Sequence, residues 1–86
     1  MMNKGELKPL EKSLELGIYR HFKGGLYEVI AIGRHSETLE EMVVYKALYD
    51  VGDIWVRPAS MWEDEVKYEG KIVKRFTWVS DLLYRN

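Results

Sequence analysis

Three features of this chain predict a small, mainly β domain curled into an antiparallel barrel of five or six strands. Aromatic residues are abundant, with six tyrosines and three tryptophans among 86 residues, and such side chains suit pleated, half-buried surfaces. Short apolar runs recur between turn signals at Gly24-Gly25, Asp50-Val51-Gly52-Asp53 and Glu69-Gly70, the spacing of short strands joined by tight connections. Pro58, which cannot continue a ladder, precedes Ala59 to Trp62 and marks one late helical turn before a last hairpin.

Residues 1–16 read as a lead-in. Leu7, Leu10 and Leu14 recur at helical spacing, Pro9 suits a first helical turn and Gly17 a stop, so a short helix is expected over Pro9 to Glu15, with an unpacked tail as the alternative. Residues 17–79 form the barrel domain. The first strand is expected over Gly17 to Phe22. A Gly24-Gly25 hairpin would set Phe22 opposite Tyr27 and His21 opposite Glu28. The second strand, Leu26 to Arg34, has an apolar centre, Val29-Ile30-Ala31-Ile32, as expected of a strand covered on both faces. Thr38-Leu39-Glu40-Glu41 fits a capping box and one helical turn. The third strand is expected over Met42 to Tyr49 with Val43, Tyr45, Ala47 and Tyr49 on one face. The fourth runs from Ile54 to Arg57. In the last hairpin, Glu63 to Tyr68 and Lys71 to Val79 meet so that Glu65 faces Lys74, Asp64 faces Arg75 and Val66 faces Val73; three complementary pairs agree on one register. Residues 80–86 are expected to form a C-terminal helical turn capped by Ser80. These elements point to an SH3-like barrel, with a five-stranded OB-like barrel as the alternative.

Composition narrows the function. A chain of 10.2 kDa makes one domain that buries roughly 60 to 65% of its unfolded surface. Net charge is −1 and no block of the chain concentrates positive charge, which disfavours nucleic acid as a partner except through a basic patch formed by folding. Cysteine is absent, so no disulfide, thiolate nucleophile or zinc–sulfur site is available. No apolar run reaches the roughly 20 residues that span a bilayer, and the N-terminus lacks an apolar signal core. A cytoplasmic protein with no membrane association and no cofactor is expected.

The runs Tyr19-Arg20-His21-Phe22-Lys23-Gly24, Tyr27-Glu28-Val29, His35-Ser36-Glu37-Thr38-Leu39-Glu40, Val44-Tyr45 and Trp55-Val56-Arg57-Pro58 together resemble an uncharacterised bacterial family, domain of unknown function 1653, over about Gly17 to Phe76. The resemblance implies a small prokaryotic β domain, stand-alone or appended. It brings no activity and no catalytic residues. The family pattern usually has phenylalanine where this chain has Trp62.

Chemistry concentrates on two runs, 34–38 and 54–58. Arg57 shares a strand face with Trp55, so its guanidinium can stack on an aromatic ring and still present its fork to a carboxylate or phosphate. The simpler reading of Arg57 taken alone is a structural ion pair with Glu37, Glu40 or Glu41 that pins the long loop. His35, Ser36, Glu37 and Thr38 contain the residue types of a hydrolytic set, but adjacent loop residues rarely meet the geometry of a nucleophile, base and oxyanion donor; a loop that caps itself through its hydroxyls is the simpler reading. His21 and His35 with Glu28 or Glu37 match no metal-binding spacing, so no metal is expected. Of the aromatic set Tyr19, Tyr27, Tyr45, Trp55 and Trp62, core is the default, and two or three sharing a groove would make a stacking platform.

The expected function is a non-catalytic binding module for a small polar or anionic ligand, namely a nucleotide, a short single-stranded RNA or a protein terminus, through His35, Glu37, Thr38, Tyr45, Trp55 and Arg57. The alternative is a structural interaction domain, a monomer that joins a partner or a homodimer. A small hydrolase with His35 as base, oriented by Glu37, stands third.

Overall fold

The computed structural model describes residues 14–81. Seven strands follow in chain order: β1 (Gly17–His21), β2 (Leu26–Arg34), β3 (Glu41–Ala47), β4 (Ile54–Pro58), β5 (Glu65–Tyr68), β6 (Lys71–Lys74) and β7 (Phe76–Ser80), with a 3-10 turn at Ala59–Met61. Five form one antiparallel sheet in the order β4-β3-β2-β1-β7, while β5 and β6 make a separate hairpin. The sheet is open. Its edges, β4 and β7, do not pair with each other, so the closed barrel expected from the sequence is not formed. The late helical turn is present. The helix expected over Pro9 to Glu15 falls outside the described residues except for Leu14 and Glu15, which are not helical. Of the C-terminal turn, Ser80 ends β7 and the residues after Asp81 lie outside the described range.

The first hairpin departs from expectation. The loop is Phe22-Lys23-Gly24, closed by Gly24 N–H to His21 C=O (2.7 Å) and His21 N–H to Gly25 C=O (2.8 Å). Gly24 carries the positive φ (108°) that lets three residues reverse the chain. Tyr19 therefore faces Tyr27, and Ile18 faces Glu28. The displacement from the expected pairing is odd, so the faces exchange: Tyr19 and Tyr27 now share the inner face. The 63–79 segment is correct in its register, with Glu65 opposite Lys74 and Val66 opposite Val73. It breaks after Lys74, however, and Phe76 onward leaves the hairpin to pair with β1. Glu69 and Gly70 both take positive φ (52° and 81°), the conformation of a two-residue I′ hairpin turn.

One face of the sheet is buried. Alternation along paired strands puts Tyr19, Tyr27, Val29, Val43, Tyr45, Ala47 and Phe76 on it. The pairing slips at Ile30, a bulge that returns Ile32 to the inner face beside Val43. Ile30 and Ala31 are exposed, so β2 is covered on one face rather than two. Trp62, delivered by the 3-10 turn, plugs the centre. It lies flat on Phe76 (ring centroids 3.6 Å apart, 1° between planes) and takes Tyr45 and Tyr19 edge-on at 4.8 and 5.3 Å. At Gly17, φ is +137° and an added Cβ would stand 2.5 Å from the Ser80 carbonyl oxygen; only glycine lets β1 and β7 approach there.

Candidate functional site

The 35–40 connection spends its polar groups on itself. His35 Nδ1 accepts the backbone N–H groups of Glu37 (3.1 Å) and Thr38 (3.2 Å), and Thr38 Oγ1 accepts the Glu40 N–H (3.2 Å). His35 N–H donates to Glu40 C=O, Leu39 N–H donates to His35 C=O, and Leu39 takes a positive φ of 66°. The Arg34 guanidinium ties the loop base to Leu39 C=O at 3.3 Å. Of the hydroxyl caps expected from Ser36 and Thr38, the Thr38 cap is present, and the His35 ring is the second cap. No helical turn forms: the threonine oxygen meets the N–H two residues on, in a local turn, instead of the third N–H of a helix. A hydrolytic His35 also meets an obstacle, because an Nδ1 that accepts two N–H groups carries no proton for Glu37 to orient. His21 is used in the same way, its Nδ1 accepting the Lys23 N–H at 3.1 Å.

Tyr45 is 7% exposed and belongs to the core, edge-on to Trp62 and Tyr27. It supports a surface from below. Trp55 pairs across from Tyr45 and Arg57 across from Val43, so both stand on the sheet's inner face where it opens at the β4 edge. Trp55 is 52% exposed. Arg57 is half-buried; its guanidinium lies 5.8 Å over the Phe76 ring, and Nη1 donates to Met61 C=O at 3.3 Å. Among the described residues it makes no ion pair, so the expected bridge to Glu37, Glu40 or Glu41 is not formed. The described ion pair belongs to Arg75, whose Nε and Nη2 clamp Asp64 Oδ1 and Oδ2 at 2.8 and 3.0 Å. The 35–40 loop leaves the Arg34–Glu41 rung, two residues along β3 from the Val43–Arg57 rung. Loop and guanidinium thus share one end of the sheet, but the loop offers Arg57 no charge partner.

Burial sets the electrostatics of this face first, and neighbouring charges add to it. Burial, helped by Arg75, Arg57 and Lys23, holds the His21 imidazole below its ordinary pKa, so it stays neutral. Burial and a hydrogen bond with Tyr49 push the Tyr27 phenol up to about 12. The Tyr27 and Tyr49 hydroxyls bond to each other. The Arg75 fork holds the Asp64 carboxyl below the usual range.

Two dents lie elsewhere. One of about 240 Å³ is lined by Leu14, Tyr19, Trp62, Glu63, Lys74, Phe76 and Trp78. The other, about 280 Å³, runs between β1 and the β5–β6 hairpin and is lined by Arg20, His21, Phe22, Tyr68, Val73, Lys74 and Thr77. Neither includes any of the six residues singled out from the sequence. Lys74 lines both, and Trp78 is half-exposed in the first. The alternation Phe76-Thr77-Trp78 was the signal that would have placed Trp78 beside the aromatic set. Among the described residues no cluster of His, Asp and Glu is arranged to hold a metal.

The model of the family DUF1653, protein of unknown function, matches residues 17–78. The chain belongs to this family. DUF1653 members include a protein from Bordetella bronchiseptica with a crystal structure. That structure is 30% identical to this chain and superposes with a TM-score of 0.76, covering 83% of this chain and 94% of the other. No curated protein matches the chain. The matched span begins at Gly17, the first residue of β1, and ends at Trp78, the β7 residue that pairs with Tyr19.

Proposed function

We propose that this DUF1653 domain is a non-catalytic binding module whose recognition pair is Arg57 and Trp55. The observation that carries the reading is a guanidinium held against Phe76 that makes no ion pair among the described residues, the Asp64 carboxylate that feels its charge being clamped by Arg75. A carboxylate or phosphate beside it gains charge-assisted hydrogen bonds. One N–H is engaged by Met61, and the rest of the fork is available for an anion. Trp55 supplies a face on which a planar group can stack. The ligand is small and polar or anionic: a nucleotide, a short single-stranded RNA or a protein terminus.

The SH3-like reading of the fold accompanies this proposal. It is supported by the β1–β4 meander, the 3-10 turn after β4 and the return of the last strand to β1. A cytoplasmic setting is supported by the absence of cysteine. Titration of the labelled protein with nucleotides, short RNA and carboxylate-ended peptides tests the function. The Trp55 indole and Arg57 guanidinium resonances are expected to shift, and Arg57→Gln to abolish the response. Silence at both groups with every ligand overturns the reading.

A further inference from the structure

β4 carries a pattern that the single chain does not use. Read outward from Trp55, the segment is symmetric in character: Ile54 and Val56 flank it, and Asp53 and Arg57 close it with opposite charges. The strand lies at the sheet edge. Ile54, Trp55 and Val56 are 59%, 52% and 59% exposed. Such an apolar edge is a template for another strand. The backbone is poised for it. Ala47 N–H donates to Asp53 C=O at 3.0 Å, and hydrogen-bonded pairs alternate along an antiparallel ladder. Residues 53, 55 and 57 therefore bond inward to β3, while Ile54 and Val56 turn their N–H and C=O groups away from the sheet.

We infer that the partner of this edge is a second copy of the chain, paired β4 to β4 antiparallel about a two-fold axis at Trp55. This rests on the reading that Arg57 receives an anionic group, and it names the group: the Asp53 carboxylate of the second copy. In this register Ile54 lies opposite Val56 of the second copy, Trp55 opposite its counterpart, and Asp53 opposite Arg57, twice by symmetry. Ile54 and Val56 exchange their outward N–H and C=O groups. The neighbouring registers allowed by the alternation are poorer. Centring on Ile54 sets Asp53 against Trp55 and leaves Arg57 facing Val51. Centring on Val56 sets Ile54 against Pro58, which has no N–H to give. The other edge, β7, has no such symmetry, since Phe76-Thr77-Trp78 contains no charges to match. The dimer joins two five-stranded sheets into one and covers the exposed Ile54 and Val56. It also sets a carboxylate facing Arg57, which makes no ion pair among the described residues of the single chain.

Sedimentation equilibrium of the full chain over a wide concentration range tests this, with circular dichroism as the check on folding. The expected mass at high concentration is twice the 10.2 kDa of the chain. Asp53→Arg and Arg57→Asp each weaken association by at least about tenfold, because each sets like charges opposite one another twice. The double variant Asp53→Arg/Arg57→Asp restores it. Val56→Pro removes an outward N–H without touching the inner ladder and leaves a folded monomer. A wild-type monomer at every concentration overturns the inference, as does a dimer indifferent to the two charge reversals and to Val56→Pro. The outcomes separate from those of the ligand reading. A monomer whose Arg57 resonances still shift with phosphate or nucleotide sinks the dimer alone, and a charge-dependent dimer that ignores those ligands sinks only small-ligand recognition.

Discussion

Replacing Trp62 by phenylalanine weighs two opposing effects at the centre of the core. The indole is 1% exposed, stacked on Phe76 at 3.6 Å and flanked edge-on by Tyr45 and Tyr19. Its N–H is buried and has no hydrogen-bond partner among the described residues. Phenyl lacks two carbons and the nitrogen, and losing that packing costs roughly 1.5 to 3 kcal/mol in transfer and cavity terms. The same change removes an unpaired buried donor that costs the native state about 1 to 3 kcal/mol. The two nearly cancel, so Trp62→Phe is expected to alter the unfolding free energy by no more than about 1 kcal/mol. Trp62→Ala gains the same relief but vacates the whole site, and is expected to cost about 3 to 5 kcal/mol. That is a large share of the roughly 4 to 13 kcal/mol held by a domain of this length. Urea unfolding followed by far-ultraviolet circular dichroism measures both, provided the slope is unchanged. A loss above about 3 kcal/mol for Trp62→Phe would refute the reasoning, because a donor that matters so much must have an acceptor in solution.

Other expectations follow from the same geometry. Gly17→Ala places a Cβ 2.5 Å from the Ser80 carbonyl oxygen at φ +137° and should lower the unfolding free energy measured in urea by more than about 1 kcal/mol. Gly24→Ala has a positive φ of 108° but open space, and should cost less than Gly17→Ala in the same assay. The Asp64 carboxyl is held below its ordinary value by Arg75, so its contribution is present above about pH 3.8 and is lost as pH falls through the lowered folded pKa. Because the pair is partly exposed it is worth no more than about 1 kcal/mol, and Asp64→Asn should flatten the acid limb of the stability curve by that much. His21 behaves oppositely in origin. Its folded pKa lies below the unfolded 6.5, so the unfolded chain binds more protons between the two values. Stability should fall as pH drops below 6.5 and level off below the folded pKa. Resonance titration of the His21 ring should give the depressed value, and His21→Gln should remove that stretch of pH dependence. Tyr49→Phe removes the hydroxyl bonded to Tyr27, and the Tyr27 phenol should ionise below about 12 in an ultraviolet titration; an unmoved value would show that burial alone sets it.

Local chemistry was legible in the sequence where it was sufficient. The β5–β6 register could be read because two opposite-charge pairs and a valine pair all agreed with the Glu69-Gly70 turn. The first hairpin could not, because Lys23-Gly24-Gly25 is compatible with a two-residue loop at both glycines or a three-residue loop ending at the first. The preference for the latter comes from putting Tyr19 and Tyr27 together on the buried face, a tertiary fact. The break after Lys74 was hidden for a similar reason. The 71–79 run is continuous in strand propensity, and only the distant β1 decides that Phe76 pairs with His21. The open edge between β4 and β7 is likewise invisible to periodicity, which reports the faces of strands but not which strands close on each other.

The candidate site divides along the same line. Alternation alone put Trp55 and Arg57 on one face, and the structure keeps them there. It does not say what lies beneath, and Phe76, which bears the guanidinium, comes from the far end of the chain. In the histidine loop, His35, Glu37 and Thr38 look reactive as a list, and the self-capping that the sequence favoured is visible in the backbone N–H groups that His35 and Thr38 accept. Arg57 stands out by the reverse test. Arg75 is clamped by the Asp64 carboxylate, whereas Arg57 donates to one carbonyl and makes no ion pair among the described residues. A guanidinium whose fork is only partly engaged has donors left for an anionic group from outside the chain. Asp53, two positions before Trp55 as Arg57 is two positions after, lies at the same edge and bears the matching sign. The two cannot meet within one strand, because the segment between them is extended. In the proposed dimer they meet because a second strand runs antiparallel alongside.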